Sequence, residues 1–320
     1  MTHDSFDASA DVIQEFEKTN KVNLRFLKSG DAGEALNKAI LSKGNPLADV
    51  FYGVDNTFFS RAIDADIFEP YKPPTLQQIP ADLQLDPQGR LVPVDFGFVN
   101  LNYDKAAFGP GKLPVPQTLR DLTKPVYKGK IVVESPATSS PGLAFLMATV
   151  ATFGETGAYP WTKYWADLRA NNVQVVDGWN TAYETNFSGS SGKGPQPIVV
   201  SYATSPAAEV FYSEGKLTEP PTGNIIPPKG AFKQIEFVGI LKGTKNRELA
   251  QRWIDYMTGP RFQADIPLKM FVYPANSQAP LPDLFKKFAP IPSDPATFPP
   301  DQIAKQRDQW IQEWTRIVQK

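Results

Sequence analysis

Several short segments of this chain gather side chains able to bind or to react. They are His3-Asp4-Ser5, Asp55-Asn56, Thr138-Ser139-Ser140-Pro141-Gly142, Asp177-Gly178-Trp179 with Tyr183, and Ser201-Tyr202-Ala203-Thr204-Ser205-Pro206. Asp95 and Glu236 add carboxylates. Acids beside aromatic faces suit an organic cation, because a ring face attracts positive charge by roughly 0.5–2 kcal/mol. Hydroxyls at a helix opening suit an anion or a ligand hydroxyl, since free N–H groups and a partial positive charge collect there. Each segment also has a plainer explanation. Asp, Asn, Ser and Thr are the preferred helix N-caps, and Pro is common in a first turn. Asp95 and Glu236 read equally well as partners in a hydrogen bond or salt bridge where strands cross between domains. Capping, however, needs no Trp179, Tyr183 or Tyr202.

Other chemistry is excluded by what the sequence lacks. It has no Cys and one His. That removes thiol nucleophiles, disulfides, iron–sulfur clusters and Cys/His zinc sites. His3-Asp4-Ser5 has the residue types of a triad, but sequence neighbours do not point at one another in triad geometry. No Gly-x-x-x-x-Gly-Lys or Gly-x-Gly-x-x-Gly pattern follows a strand, so ATP and NAD are not expected. With 33 Lys+Arg against 34 Asp+Glu, the net charge is -1. Such balance argues against nucleic acid or a polybasic membrane surface. No apolar run is long enough to span a bilayer. The opening Met1-Thr2-His3-Asp4-Ser5 reads as a chain whose first strand has been trimmed, and no signal peptide is visible.

The elements that must position these residues follow a βα rhythm. Residues 22–26 alternate as a half-buried strand, and 48–54 form a short apolar strand. Residues 130–134, 173–176 and 198–202 read as further strands. Helical spacing marks 10–16, 34–41, 56–65, 142–153, 161–170, 206–212, 247–257 and 300–319. Two long alternating runs, 94–103 and 234–241, read as crossings between domains. A flexible tip is expected at 188–194. In open α/β sheets, ligands sit beyond the carboxyl ends of strands, and the polar segments above follow those ends. The expectation is α/β, with one contiguous domain inserted into another: residues 1–97 plus 234–290, then 98–233, then a C-terminal helical segment, 291–320.

Taken together, these segments resemble the thiamine-binding proteins of bacterial ABC importers, within the type II periplasmic binding protein superfamily. The resemblance runs in order through Thr2-His3-Asp4-Ser5-Phe6, Ala48-Asp49-Val50-Phe51-Tyr52-Gly53-Val54-Asp55-Asn56 and Asp95-Phe96-Gly97. It continues through Thr138-Ser139-Ser140-Pro141-Gly142-Leu143, Gly178-Trp179-Asn180-Thr181-Ala182-Tyr183 and Ser201-Tyr202-Ala203-Thr204-Ser205-Pro206. Tyr273-Pro274-Ala275-Asn276 and Gln309-Trp310-Ile311-Gln312-Glu313-Trp314 complete it.

The resemblance implies two βα lobes joined by two hinge crossings around a ligand cleft, and no catalysis. It implies thiamine, thiamine monophosphate or thiamine diphosphate as ligand. Asp4, Ser5 and Asp55 would surround the amino-pyrimidine or cationic ring, and Ser139 and Ser140 the hydroxyethyl or phosphate end. Trp179 and Tyr202 would line the cleft. Tyr183, Ser205, Glu236, Phe271 and Tyr273 complete the expected ligand contacts. His3 stands where well-known members carry Tyr, Phe271 where they carry Trp, and Ala208 where they carry Tyr. Phe271 and a neutral His3 can still stack; Ala208 cannot. No cofactor or metal is expected. The expected partners are an ABC permease and its ATPase. The protein is expected as a monomer, periplasmic or lipid-anchored outside a membrane. The alternative is another small organic cation, a polyamine or a thiamine-related pyrimidine, on the same scaffold.

Overall fold

The structure, a computed structural model, describes residues 1–189 and 193–319. It divides into two compact units, Met1–Gly97 with Gln234–Asp283, and Phe98–Lys233 with Leu284–Lys320. The chain passes between them along strands Val92–Asp104 and Phe232–Leu241. It passes a third time within the short helix Asp283–Phe288. This differs from the expected separate C-terminal segment. Helix Pro300–Val318 packs on helix Trp161–Ala170 within the second unit, where the Trp314 and Trp165 rings meet at 5.5 Å.

In the first unit, strand Val50–Asp55 runs antiparallel to the 234–241 stretch, pairing Val50 with Ile240 and Asp55 with Glu236. The register slips at Gly53, which adopts φ +110°. Only Gly reaches such a bulge without strain, and a Cβ there would meet His3 Cδ2 at 2.6 Å. The core behind this sheet is amphipathic-helix packing. Helix Arg247–Thr258 buries Ala250, Trp253, Ile254 and Met257 on one stripe. Helix Ala10–Asn20 meets it with Val12 and Phe16, the Phe16 and Trp253 rings edge-to-face at 4.9 Å. Residues 22–26, expected as a strand, do not form one. Val22 and Leu24 still pack on the core, so the alternation is real and what is lacking is ladder pairing.

The second unit is built on a parallel trio. Strand Ile131–Glu134 lies between Gln174–Val176 and Ile198–Tyr202 and runs parallel to both. The 98–104 stretch adds antiparallel to Ile198–Tyr202, and Thr222–Ile225 pairs with 101–104. Helix Ser140–Phe153 is buried from Ser140 through Val150, consistent with its nearly all-apolar sequence. Of the tip expected at 188–194, residues 190–192 lie outside the described residues. Among the described residues, no helix is long and apolar enough to cross a membrane.

Candidate functional site

Parallel strands carry their following loops to one edge of a sheet. In the second unit the trio brings three loops to that edge: 135–139, 177–179 and 203–204. The Trp179 indole N–H donates to Ser201 Oγ at 2.8 Å. Ser201 Oγ is 2.9 Å from Ser205 Oγ, which also accepts from the Tyr202 N–H at 3.3 Å. Trp179 stacks on Tyr183 with ring centroids 5.0 Å apart and an interplanar angle of 13°. Tyr202 stands edge-on to Trp179 at 6.5 Å. Tyr183 rides on a π-helical turn, Thr181–Asn186, a local irregularity often found at functional sites. Its hydroxyl donates to Glu209 Oε1 at 2.7 Å. Burial, and then the Glu209 carboxylate, push the Tyr183 phenol well above its ordinary pKa, so it stays a donor. The result is a wall of aromatic faces whose polar edges are tied by the Ser201 and Ser205 hydroxyls at Trp179 and Tyr202, and by the Glu209 carboxylate at Tyr183.

The opening of helix Ser140–Phe153 lies on the same sheet edge. Ser139 is its N-cap and is fully buried, its hydroxyl accepting from Gly142 N–H; Ser140 is buried as well. Gly142 sits where a Cβ would meet Glu134 O at 2.6 Å, so the helix start packs directly onto the strand end. Thr138 Oγ1 donates to Asp177 O at 2.6 Å, joining this opening to the loop that carries Trp179.

The first unit gathers a different set. Tyr52, Glu236 and Asp95 sit on three neighbouring strands. The Tyr52 hydroxyl donates to Asp95 Oδ2 at 2.6 Å and lies 3.4 Å from Glu236 Oε2. His3 Nε2 lies 3.4 Å from Glu236 Oε1, and His3 Nδ1 is 3.0 Å from Ser5 Oγ. Burial works against a charged His3, but the Glu236 carboxylate outweighs it and raises the imidazole pKa. Burial also works against a charged Glu236, and His3 outweighs it, so this carboxyl is held low. Asp95 is pushed well above the carboxylate range, first by burial and then by the Glu236 charge. The cluster therefore favours charge on His3 and Glu236 as a pair, and favours the proton on Asp95.

The remaining expected residues of the first unit have clear local tasks. Asp4 is exposed and accepts the Gly30 N–H at 2.8 Å, while its own N–H donates to Gly30 O. Asp55 is fully buried and accepts the Thr57 N–H at 2.6 Å, an Asx-type cap after its strand. Tyr273 stacks on Phe96 at 5.3 Å, and burial pushes its phenol up to about 12. Phe271 adopts φ +51° and is 9% exposed.

Trp179, Tyr183, Tyr202 and Ser205 are thus brought together in one unit, and Glu236 with His3 and Ser5 in the other. Asp55 lies opposite Glu236 in the strand ladder. Sequence reasoning overlooked Glu209 and Tyr52. Glu209 sits one turn after Ser205, at the i+4 spacing that shares a helix face, and that spacing was its available signal. Tyr52 had none, because an apolar strand run does not reveal which member makes a hydrogen bond. Among the described residues no group of three His, Cys, Asp or Glu could hold a metal ion.

Comparison with known proteins places this geometry in context. A family model described as "Bacterial extracellular solute-binding protein" matches residues 45–294. The "Thiamine-binding periplasmic protein" of Salmonella typhimurium is 31% identical over 324 residues, covering 100% of this chain and 92% of that protein. A solved structure titled "Periplasmic thiamin binding protein" superposes with a TM-score of 0.85 at 27% identity, covering 100% of this chain and 95% of that one. A more distant relative, "Iron uptake protein A1" of Synechocystis, is 25% identical over 281 residues, covering 86% of this chain and 74% of that protein. The architecture is the α/β, two-lobed type II fold of periplasmic binding proteins.

Proposed function

The chain belongs to the bacterial extracellular solute-binding proteins, which are binding proteins and not enzymes, and we propose that its ligand is thiamine or one of its phosphate esters. The observation that carries this reading is the wall formed by Trp179, Tyr183 and Tyr202 at the carboxyl edge of the parallel trio. A flat cationic heterocycle gains from such faces through stacking and cation–π attraction. The tether from Trp179 to Ser201 fixes the indole before ligand arrives, so little ordering is needed on binding. Ser139 and Ser140, at the neighbouring helix opening, are assigned to the hydroxyethyl or phosphate end. From the first unit, the proposal keeps Asp4, Ser5, Asp55, Glu236, Phe271 and Tyr273 as ligand contacts. Delivery to an ABC permease and its ATPase, by a monomer working in the periplasm or held by a lipid anchor, completes the reading.

Thermal unfolding of the purified protein with thiamine, its monophosphate and its diphosphate tests this. At a ligand concentration of about 100 times Kd, roughly 2.7 kcal/mol of stabilisation is expected. No shift with any of the three compounds rejects the assignment, and a shift with spermidine alone turns it toward a polyamine. Native mass spectrometry of the purified protein gives an independent readout as a retained ligand mass.

A further inference from the structure

The 98–104 stretch alternates apolar Val99 and Leu101 with polar Asn100 and Asn102, the pattern of a strand with one face in solvent. Yet both asparagines are fully buried. Asn100 lies opposite Ser201 in one antiparallel neighbour, and Asn102 opposite Asn224 in the other. Residues opposed in a ladder, and residues two apart along a strand, share a sheet face. These four side chains therefore stand on one face. There Asn224 Oδ1 accepts from Asn100 Nδ2 at 2.9 Å and from Asn102 Nδ2 at 2.6 Å.

The same amides reach the backbone that follows Ser201. Asn102 Nδ2 also donates to Tyr202 O at 3.2 Å, and Asn224 Nδ2 donates to Ala203 O at 3.0 Å. Ala203 N–H in turn donates to Phe98 O at 2.9 Å. Two successive carbonyls of the turn are thus held before helix Ser205–Tyr212 begins. Stability alone does not select these residues. Among the described residues, no donor reaches Oδ1 of Asn100 or of Asn102, although both atoms are buried. An apolar side chain at either position avoids that desolvation cost. What the amides supply instead is direction, because a buried hydrogen-bonded network admits one arrangement where apolar packing tolerates several.

We infer that Asn102 and Asn224, with Asn100 behind them, are positioning residues: they clamp the Tyr202 and Ala203 carbonyls and so set where the 202–205 turn presents the aromatic wall. The inference rests on the reading of that wall as the ligand-binding surface. A held carbonyl fixes its whole peptide plane, since the peptide bond is planar. Two consecutive planes held at Tyr202 and Ala203 fix the torsions of Ala203 between them. The direction in which the chain enters the helix follows, and with it the place of Ser205. Ser205 Oγ meets both Ser201 Oγ and the Tyr202 N–H, and Ser201 Oγ receives the Trp179 indole. One clamp thereby governs Tyr202 directly and Trp179 through a hydroxyl. Each amide offers an acceptor and two donors on one planar group, so Asn224 can accept from two strand partners while donating to the turn. A hydroxyl has a single hydrogen and cannot complete the same set.

Two variants test this, Asn102→Leu at the buried position and Asn224→Ala at the half-buried one. Amide hydrogen exchange without ligand is the first readout. Exchange at Tyr202 and Ala203 is expected to quicken about tenfold in both variants, while Val199 and Val200, inside the ladder, keep the parent rates. Stopped-flow binding of thiamine is the second. Release is expected to be about fivefold faster with association unchanged, because preorganisation is lost and contact area is not. Thermal unfolding is the third: Asn102→Leu is expected to hold or raise Tm while binding weakens, since it removes a buried Oδ1 that has no donor. Parent exchange rates at Tyr202 and Ala203 in both variants overturn the inference. So does exchange quickened equally from Val199 to Ala203 with Tm and affinity falling together, which marks a merely structural network. If Asn102→Leu does not fold, Asn224→Ala decides by the same comparison, and failure of both to fold overturns the inference. Absence of thiamine binding by the parent protein rejects the ligand reading instead, and the exchange rates still decide whether the clamp holds the turn.

Discussion

The two units solve one problem, fixing polar side chains near strand ends, with opposite chemistry. The second unit ties Trp179, Ser201, Ser205 and Tyr202 together with neutral donors and acceptors. The first unit ties His3, Glu236, Asp95 and Tyr52 together around buried charge. Neutral networks hold their geometry at any moderate pH. A network built on an ion pair holds it only while both partners carry charge, and it is costly when one is lost. The comparison therefore teaches where pH dependence should reside: in the first unit, not in the aromatic wall.

The sharpest test is Glu236→Gln. It leaves the buried His3 beside a neutral amide, and about 3 kcal/mol of unfolding free energy should be lost at pH 6. The pH profile should change too. The His3 pKa is raised from 6.5 in the folded protein, so its stabilisation is present below pH 6.5 and is lost as pH rises through the folded value. Asp95, also raised, contributes in the same direction from its own lower starting point. Glu236 is lowered from 4.5, so its share is present above that value and fades on acidification through the folded value. The wild-type chain should thus lose stability between pH 6.5 and the alkaline side, and Glu236→Gln should flatten that limb. Urea unfolding across pH 5–9 checks both; an unchanged slope would place the titration elsewhere.

Tyr52→Phe comes next. It removes the donor to Asp95 Oδ2 within a fully buried pair, for a loss of about 2 kcal/mol. Since Tyr52 is not itself the titrating partner of His3, the alkaline limb above pH 6.5 should survive in this variant. Loss of that limb would mean that the hydroxyl, rather than Glu236, sets the His3 charge.

These same residues mark how far the sequence is legible. Helices 161–170 and 247–257 were readable because their apolar spacing is local, and the aromatic wall was readable because its members follow predicted strand ends. Helix Pro260–Lys269 was not, since Pro267 sits inside it and Pro breaks the expected pattern. The first unit's network was not legible as a network: Tyr52 and Glu236 are 184 residues apart, and no local spacing announces a contact that depends on strand order. Residues 22–26 show the converse. Their alternation correctly places Val22 and Leu24 on the core, yet a strand also needs a neighbour, which periodicity cannot supply.

A third test asks whether the aromatic wall meets ligand. Trp179→Ala should weaken thiamine binding about tenfold, equivalent to roughly 1.4 kcal/mol. Calorimetric titration at pH 6 and pH 8 checks it. The factor should be the same at both, because Trp179 is held by an uncharged hydroxyl, Ser201 Oγ, and stacks on a phenol ring. A tenfold loss at one pH only would tie the wall to the charged cluster and break the contrast between the units.

The smallest effect is the most discriminating for the wall itself. Ser201 Oγ accepts from the Trp179 indole at 2.8 Å and pairs with Ser205 Oγ at 2.9 Å, so Ser201→Ala cuts the tether while leaving every ring in place. A neutral hydrogen bond contributes about 1 kcal/mol net, and the loss should be of that size and constant from pH 5 to pH 9. Tyr183 still stacks on Trp179 and still donates to Glu209, so the indole should keep its plane but gain freedom in it. Binding should weaken less than in Trp179→Ala, with the change carried mainly by faster ligand release, as expected when preorganisation is lost rather than contact area. Stopped-flow tryptophan fluorescence separates the two rates. A Ser201→Ala effect as large as that of Trp179→Ala would show that the hydroxyl touches ligand directly, and the wall would then be a hydrogen-bonding site before it is a stacking one.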